Sequence, residues 1–356
     1  MLLAACGSDD PLGHPWRPGG PADAPAAPVL DAELAGRLAG AGSSAQESAM
    51  QAWIAGYQAA VPGVSVAYDP VGSGGGRTQF IEGGIDFGGT DAPLDDDELA
   101  AAQERCAPGA VVEVPLYISP IAVVFNLDGI DSLNMSPTTV AAVFTGEIRT
   151  WDDARLAAEN PGVDLPALRI TPVNRSDESG TTKNFTEYLR EAAPEAWPHE
   201  ASGEWPLAGG QSAQGNSGVI QTVSDGVGTV TYADASKAGS LGTVRLGVGD
   251  AWVPFSPEAA AAVLDSSSRA PGRPATSLVF DLDRTTSAPG VYPLVLVSYT
   301  VACTSYPDPD DAAMVASFLT YVASELGQAV SAETAGSAPI SADLRRQVMA
   351  LVEEIG

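Results

Sequence analysis

The residues best suited to chemistry lie in one polar loop, residues 174–182. An apolar run at 168–173 precedes it and predicts a buried strand, whereas residues 183–189 predict a helix. The Ser-Gly-Thr sequence at 179–181 would then stand at the start of that helix. There it offers hydroxyl and backbone N–H donors, strengthened by the helix dipole. These groups together have the chemistry of a site that binds an oxyanion.

Arg175 adds a cation to this loop, with a planar set of donors that suits phosphate or carboxylate. Asp177 follows two residues later and could hold the guanidinium in place. The alternative is an ordinary helix cap beside an Arg–Asp pair on the surface. This stretch alone does not decide between the two interpretations.

Three further loops have the same character, because small donor-rich residues again stand between a strand and a helix. They are Gly42-Ser43-Ser44-Ala45, Gly72-Ser73-Gly74-Gly75-Gly76 and Gly89-Thr90-Asp91. In open α/β sheets, ligands bind at such junctions, outside the carboxyl ends of the strands. The glycine loop lacks the Lys-Ser/Thr of a Walker motif and the later glycine of a dinucleotide fingerprint. No G-x-S-x-G nucleophile motif occurs either, so we expect a binding protein rather than an enzyme.

The amino-acid composition further narrows the class of protein to which the chain can belong. The chain has 356 residues, of which 45% are hydrophobic and 17% charged, as in a globular protein large enough for two lobes. Its net charge of -28 argues against a nucleic-acid partner. Two histidines and three cysteines make a metal site improbable, and no cofactor is expected.

The elements that must position these loops alternate between strand and helix patterns, which predicts an α/β fold. Ser44 and Glu47 have the spacing of a capping box for the first helix. The other expectations are a helix from Thr78 after the glycine loop, two strands within 111–126 separated by Ser119-Pro120, and two final helices at 310–326 and 341–354.

The N-terminus contains Leu3-Ala4-Ala5-Cys6, which is similar to a bacterial lipobox with Cys6 as the lipidated residue. A Pro/Gly/Ala-rich run follows and predicts a flexible tether over residues 7–30. The alternative is a short apolar terminus with an incidental cysteine. Outside the cytoplasm, Cys106 and Cys303 could form a disulfide; otherwise they are two buried thiols.

Six segments, in this order along the chain, resemble the phosphate-binding proteins of Pst-type ABC transporters. They lie at 40–44, 71–76, 86–94, 144–153, 175–181 and 215–219, and include the patterns D-F-G-x-x-D-A-P-L, F-x-G-x-I-x-x-W-D-D and R-x-D-x-S-G-T. The resemblance extends from about Leu38 to the C-terminus. It implies the two-lobed periplasmic-binding-protein fold (type II), with a mixed sheet and flanking helices in each lobe and a two-stranded hinge.

The implied phosphate-binding residues are Ser44, Ala45, Ser73, Asp91, Arg175, Ser179, Gly180 and Thr181. Asp177 matches the residue that holds the arginine. Ala45 stands where the family often has an aromatic residue, so only its backbone N–H would contribute. Asp91 would accept a hydrogen bond from a protonated phosphate and so reject sulfate, which has no proton to donate. The alternative for Asp91 is a cap for the following helix.

The resemblance also implies boundaries and partners. Residues 1–6 would be the remnant of a lipoprotein signal ending at Cys6, residues 31–116 and 294–356 the first lobe, and residues 117–293 the second lobe. The expected function is extracytoplasmic, lipid-anchored, high-affinity binding of inorganic phosphate and its delivery, as a monomer, to the permease and ATPase of an ABC importer. Rival hypotheses are a receptor for another oxyanion, a phosphate sensor, and a phosphatase that uses Ser179 beside Arg175.

Overall fold

The computed structural model describes residues 25–356, and the α/β class is confirmed there. The strands of the described residues are β1 (Gly36–Gly42), β2 (Val64–Asp69), β3 (Phe87–Thr90), β4 (Val111–Phe125), β5 (Ser132–Met135), β6 (Thr171–Arg175), β7 (Gln211–Ala213), β8 (Thr229–Asp234), β9 (Gly242–Val248), β10 (Ala251–Val253), β11 (Ser268–Arg269), β12 (Phe280–Asp281) and β13 (Val295–Cys303).

The helices of the same residues flank these strands. They are α1 (Glu47–Ala60), α2 (Ser73–Ile81), α3 (Asp96–Cys106), α4 (Pro137–Thr145), α5 (Ala154–Glu159), α6 (Gly180–Ala192), α7 (Gly215–Asp225), α8 (Pro257–Ser266), α9 (Pro309–Ala323), α10 (Glu325–Ala335) and α11 (Ala342–Val352), with a 3-10 turn at Ala235–Lys237. The predicted tether lies largely outside the described residues, and Cys6 lies wholly outside them.

One mixed sheet runs through the molecule in the order β2-β1-β3-β13-β4-β8-β6-β7. Strands β1, β2 and β3 are parallel, as are β6, β7 and β8, whereas β13 and β4 are antiparallel to their neighbours. The loops that follow β1, β2, β3 and β6 carry the predicted site residues. Strand β4 connects the two parallel groups because it pairs with β13 at one end and with β8 at the other.

The prediction of two strands within 111–126 is wrong, because β4 is a single buried strand of 15 residues. Ser119 and Pro120 lie inside it, paired with Leu296 and Val295 of β13. The missing N–H of Pro120 is tolerated since the ladder continues next to it, where Ile121 N–H donates to Leu294 O at 2.9 Å. Burial along the whole strand therefore outweighs the local tendency of Pro120 to interrupt it.

Helix α2 begins at Ser73, not at Thr78, so the glycines are part of the helix. A Cβ at Gly76 would lie 2.4 Å from Gly42 Cα, which shows that α2 packs directly on β1. Glycine disfavours a helix by about 1 kcal/mol relative to alanine. Here the close packing requires glycine, so tertiary structure overrides propensity.

The C-terminal region contains three helices where two were predicted. Ser324 ends α9 and caps α10, because its hydroxyl accepts from Gly327 N–H at 3.0 Å. The expected capping box of Ser44 and Glu47 is absent: Gln46 occupies the N-cap of α1 without a side-chain hydrogen bond. The capping box of α3 is present, formed by Asp95 and Glu98.

Cys106 and Cys303 form a disulfide between the end of α3 and the end of β13. Their Cα atoms are 5.2 Å apart, although 197 residues separate them in the chain. No helix among the described residues is long and apolar enough to span a membrane.

Candidate functional site

The structure brings the predicted site residues together where the loops after β1, β2, β3 and β6 meet the N-termini of α2, α6 and α7. The residues that lie there, all buried, are Ser44, Ala45, Ser73, Asp91, Arg175, Ser179, Gly180 and Thr181. They come from segments up to 137 positions apart in sequence. The strand–loop–helix arrangement therefore assembles one polar cluster from four loops.

Asp91 is the only carboxylate among the predicted ligand residues, and it is 3% exposed. Its Oδ1 accepts from the hydroxyls of Ser43 and Ser298, the latter at 2.5 Å, and its Oδ2 accepts from Thr181 Oγ1 at 3.2 Å. Burial raises the pKa of Asp91, whereas the Ser298 and Ser43 hydroxyls and the charge of Arg175 oppose this increase.

Three serine hydroxyls in the cluster each accept at least one hydrogen bond from an N–H group. Ser44 Oγ accepts from both Asn216 N (3.1 Å) and Asn216 Nδ2 (3.0 Å). Ser73 Oγ accepts from Asp91 N–H at 3.1 Å, and Ser179 Oγ accepts from Thr182 N–H at 3.1 Å. Because a hydroxyl has one proton and two lone pairs, each of these serines retains its proton for a ligand.

Arg175 lies at the end of β6 and is 2% exposed. Its Nε donates to Asp177 Oδ1 at 2.9 Å, and its Nη2 donates to Asp177 Oδ2. Asp177 Oδ1 also accepts from Gly215 N–H at 3.0 Å, which fixes the pair against α7. The buried Arg175 Nη1 has no hydrogen-bond acceptor among residues 25–356. The pair is thus buried, and one guanidinium nitrogen remains available.

The N-terminus of α6 contributes Gly180 and Thr181. Their backbone N–H groups have no acceptor within the helix, because they lie in its first turn. A Cβ at Gly180 would lie 2.6 Å from Ser73 Oγ and 2.7 Å from Asp91 Cβ. Only glycine therefore allows this helix to approach the loop after β3. Ser179 caps the helix as the sequence predicted.

Ala45 lies in the cluster and is fully buried, but its N–H donates to Ser43 Oγ at 3.0 Å. The backbone donor that the sequence assigned to a ligand is therefore engaged within its own loop. Ala45 contributes a small, buried surface here, and no aromatic ring.

Four polar residues of the cluster were not predicted: Ser43, Ser298, Asn216 and Asn184. Asn216 Nδ2 also donates to Thr181 Oγ1 at 3.3 Å, and Asn184 Nδ2 donates to the carbonyl oxygens of Asp91 and Gly180. Asn216 stands in one of the segments that carry the family resemblance, which is the one signal that could have identified it. Ser298 lies within an apolar strand and has no local signal.

Two ion pairs link residues of the two predicted lobes beside the cluster. Lys237 Nζ lies 2.9 Å from Glu47 Oε2, which also accepts from Ser217 Oγ. On α2, Arg77 Nη2 lies 3.1 Å from Glu178 Oε1. Each pair joins a residue of the first predicted lobe to a residue of the second.

The cluster combines many hydrogen-bond donors with a single carboxylate acceptor. Such an arrangement can bind an oxyanion that keeps one proton, because the donors meet its oxygens and the carboxylate meets its O–H. Within the described residues, no group of three His, Cys, Asp or Glu side chains could hold a metal ion. The hydrogen bonds of Ser179 Oγ there include no histidine or carboxylate that could act as a general base.

Comparison with known proteins identifies the family that this chain matches. A family model described as a PBP superfamily domain matches residues 25–325. The phosphate-binding protein PstS 3 of Mycobacterium tuberculosis (strain ATCC 25618 / H37Rv) is 35% identical over 326 residues, which cover 90% of this chain and 86% of that protein. PstS 3 of Mycobacterium leprae (strain TN) is 34% identical over 327 residues, 89% of this chain and 86% of that protein.

Solved structures share the two-lobed fold. A phosphate-binding protein from Stenotrophomonas maltophilia superposes with a TM-score of 0.67 at 19% identity, covering 89% of this chain and 94% of that one. A high-affinity periplasmic phosphate-binding protein (PfluDING), bound with phosphate, gives a TM-score of 0.71 at 20% identity, with 88% and 93% covered.

Proposed function

The chain belongs to the PBP superfamily and, within it, to the family of the PstS phosphate-binding proteins, and from this premise we propose that it binds inorganic phosphate with high affinity. Binding supplies phosphate to an ABC-type importer, and the protein performs no chemistry on it. The observation that carries the proposal is the buried Arg175, whose Nη1 has no acceptor among the described residues while Asp177 holds the rest of its guanidinium.

A buried dianion needs many donors, because transfer of an unpaired charge into a protein interior costs roughly tens of kcal/mol in the Born limit. Arg175 supplies the charge, and Ser44, Ser73 and Ser179 supply hydroxyl protons. The N-terminus of α6 adds N–H groups and a favourable dipole. Each charge-assisted hydrogen bond contributes about 1.5–3 kcal/mol. Micromolar affinity requires only about -8.2 kcal/mol in total.

Asp91 gives the site its selectivity. Its Oδ2 accepts one hydrogen bond, from Thr181 at 3.2 Å, and has lone-pair capacity for a second. Monohydrogen phosphate can donate its P–OH to this oxygen, whereas sulfate brings only acceptor oxygens and is repelled.

The two lobes close over the ligand about a hinge formed by β4 and β13. We assign residues 31–116 and 294–356 to the first lobe and residues 117–293 to the second lobe. Ser44, Ser73 and Asp91 then belong to the first lobe, and the donors from Arg175 to Thr181 belong to the second. A bound phosphate bridges the lobes.

Membership of this family supports the cellular role that we propose. The protein acts outside the cytoplasm, anchored through lipidated Cys6, and delivers phosphate as a monomer to the permease and ATPase subunits of the importer. A phosphate sensor or a receptor for a different oxyanion would use the same geometry, so the ligand must be measured directly.

Isothermal titration of the full-length protein tests the proposal, with phosphate, sulfate, arsenate and molybdate as ligands. We expect one phosphate site per chain and much weaker binding of sulfate. Asp91→Asn should bring the two affinities closer together, since an amide can donate to sulfate. Preference for molybdate, or no phosphate binding at all, would refute the assignment; equal binding of phosphate and sulfate would refute the role of Asp91.

A further inference from the structure

Two hydroxyls outside the predicted ligand set converge on one oxygen of Asp91. Ser43 follows β1 and Ser298 lies in the middle of β13, and both are fully buried. Both hydroxyls donate hydrogen bonds to Oδ1 of Asp91, whereas among the described residues Oδ2 accepts a hydrogen bond only from Thr181. The two carboxylate oxygens therefore have different environments.

The proton of Ser43 is directed by the hydrogen bonds around it. Its Oγ already accepts from Ala45 N–H at 3.0 Å, so its own proton goes to Asp91. Ser298 Oγ lies 2.5 Å from the same oxygen. With two O–H groups donating to it, Oδ1 has no room for a proton of its own. A proton on Asp91 would have to sit on Oδ2, the oxygen that faces Thr181.

That position matters for the ligand. An Asp91 protonated on Oδ2 would be a donor, and a site made only of donors would accept fully ionised sulfate. An ionised Asp91 is an obligatory acceptor and requires a ligand that carries a proton. The position of Asp91 alone therefore does not determine selectivity; its ionisation does.

We propose that Ser43 and Ser298 determine the ligand selectivity of the site by holding Asp91 in its ionised, acceptor form. This inference rests on the proposed function, because it concerns discrimination at the same site. Burial raises the pKa of Asp91, and the hydroxyls of Ser298 and Ser43 are the strongest influences that lower it, ahead of the charge of Arg175.

Few other charged or titratable groups surround Asp91 in the described part of the chain. Arg175 approaches from β6, Arg77 of α2 donates to the neighbouring Thr90 at 3.0 Å, and Tyr68 of β2 donates to Ser43 O at 3.0 Å. Burial keeps the Tyr68 hydroxyl protonated, because it raises its pKa far above the usual value. Ser43 and Ser298 are therefore the groups whose substitution tests how the ionisation of Asp91 is controlled.

Sulfate titrations of the full-length protein between about pH 5 and about pH 8 test this role, because the charge of sulfate is constant in that range. Wild-type protein should bind sulfate weakly at every pH. In Ser298→Ala and Ser43→Ala, sulfate affinity should rise by about 10- to 100-fold as the pH falls, which corresponds to the loss of one hydrogen bond to a charged group. Phosphate affinity at about pH 8 should change far less.

Ser298→Thr keeps the hydroxyl and should restore the wild-type ratio of phosphate to sulfate affinity. Ser331→Ala is the matched control, since Ser331 is a buried serine bonded to Ser337 and not to the site. An unchanged ratio at every pH in both alanine variants would overturn the inference while leaving phosphate binding intact, as would a parallel loss of both anions, which indicates packing alone. Failure of the wild-type protein to bind phosphate would instead overturn the proposed function and the inference with it.

Discussion

Removing two ion pairs that join the proposed lobes beside the site, Lys237–Glu47 and Arg77–Glu178, should speed the release of phosphate. The perturbation is the double variant Lys237→Gln with Glu178→Gln, which breaks the contacts to Glu47 and Arg77. Neither change leaves a partner isolated. Glu47 keeps the hydroxyl of Ser217 at 3.1 Å, and Arg77 keeps Glu98 at 2.7 Å. The variant therefore removes contacts between lobes without creating a buried, unpaired charge.

The magnitude follows from the burial of the four side chains, which are 8–31% exposed. Fully exposed pairs contribute about 0.2–1 kcal/mol, and we assign about 1 kcal/mol to each of these more protected pairs. Loss of both should cost about 2 kcal/mol in the closed state, or roughly 30-fold in Kd. In the proposed open form, which phosphate would meet first, the pairs would be apart, so the change should appear mainly in the dissociation rate.

Stopped-flow measurement of phosphate association and dissociation provides the assay, using intrinsic tryptophan fluorescence. Added salt should weaken binding to the wild-type protein more than to the double variant, because the pairs are screened. The control is Arg346→Gln together with Glu325→Gln, which also removes one cation and one anion, here from ion pairs of the C-terminal helices α10 and α11. A dissociation rate equal to that of the control would refute the closure argument, as would a change confined to association.

Three further outcomes are expected. Arg175→Ala should weaken phosphate binding by about 100-fold or more in titration calorimetry, because it removes a buried cation, whereas the exposed Arg155→Ala should not. Cys106→Ser combined with Cys303→Ser should lower the free energy of unfolding in urea by up to about 5 kcal/mol, from the entropy of a 197-residue loop, and an unchanged midpoint would contradict this. Burial raises the pKa of Asp234 to about 6, so its contribution to stability is complete below about pH 4 and is lost as the pH rises through about 6. Asp234→Asn should therefore increase stability at about pH 7.5 relative to about pH 4.5, by roughly 2 kcal/mol, and parallel pH profiles of variant and wild type would refute this.

The sequence correctly predicted the features that depend on residues close together in the chain. The cap at Ser179 and the pairing of Arg175 with Asp177 involve residues two or three positions apart, and both are present. The capping box of α3 also joins residues three positions apart. The capping box at Ser44 failed because the Ser44 hydroxyl accepts instead from Asn216, 172 residues away. No spacing rule anticipates a partner at that distance.

Packing explains the remaining errors. The glycines of α2 are poor helix formers, yet contact with Gly42 makes glycine the residue that fits at position 76. Pro120 indicates a break, but two neighbouring strands keep β4 continuous. Ser298 is one hydroxyl in a strand that otherwise reads as core. The role of Ser298 depends on its hydrogen bond to Asp91, and the two residues come together only when the sheet forms.

The place of β13 in the sheet also sets the order in which the protein can be completed. The last strand of the chain lies between β3 and β4, and it carries Cys303 of the disulfide. About 200 residues separate Thr90 at the end of β3 from Val295 at the start of β13, so a ribosome that adds about 5–20 residues per second needs roughly 10–40 s to cover that distance. Until then β3 and β4 each present an unpaired edge. A nascent chain stopped before Val295 is therefore an aggregation-prone species rather than a smaller folded protein.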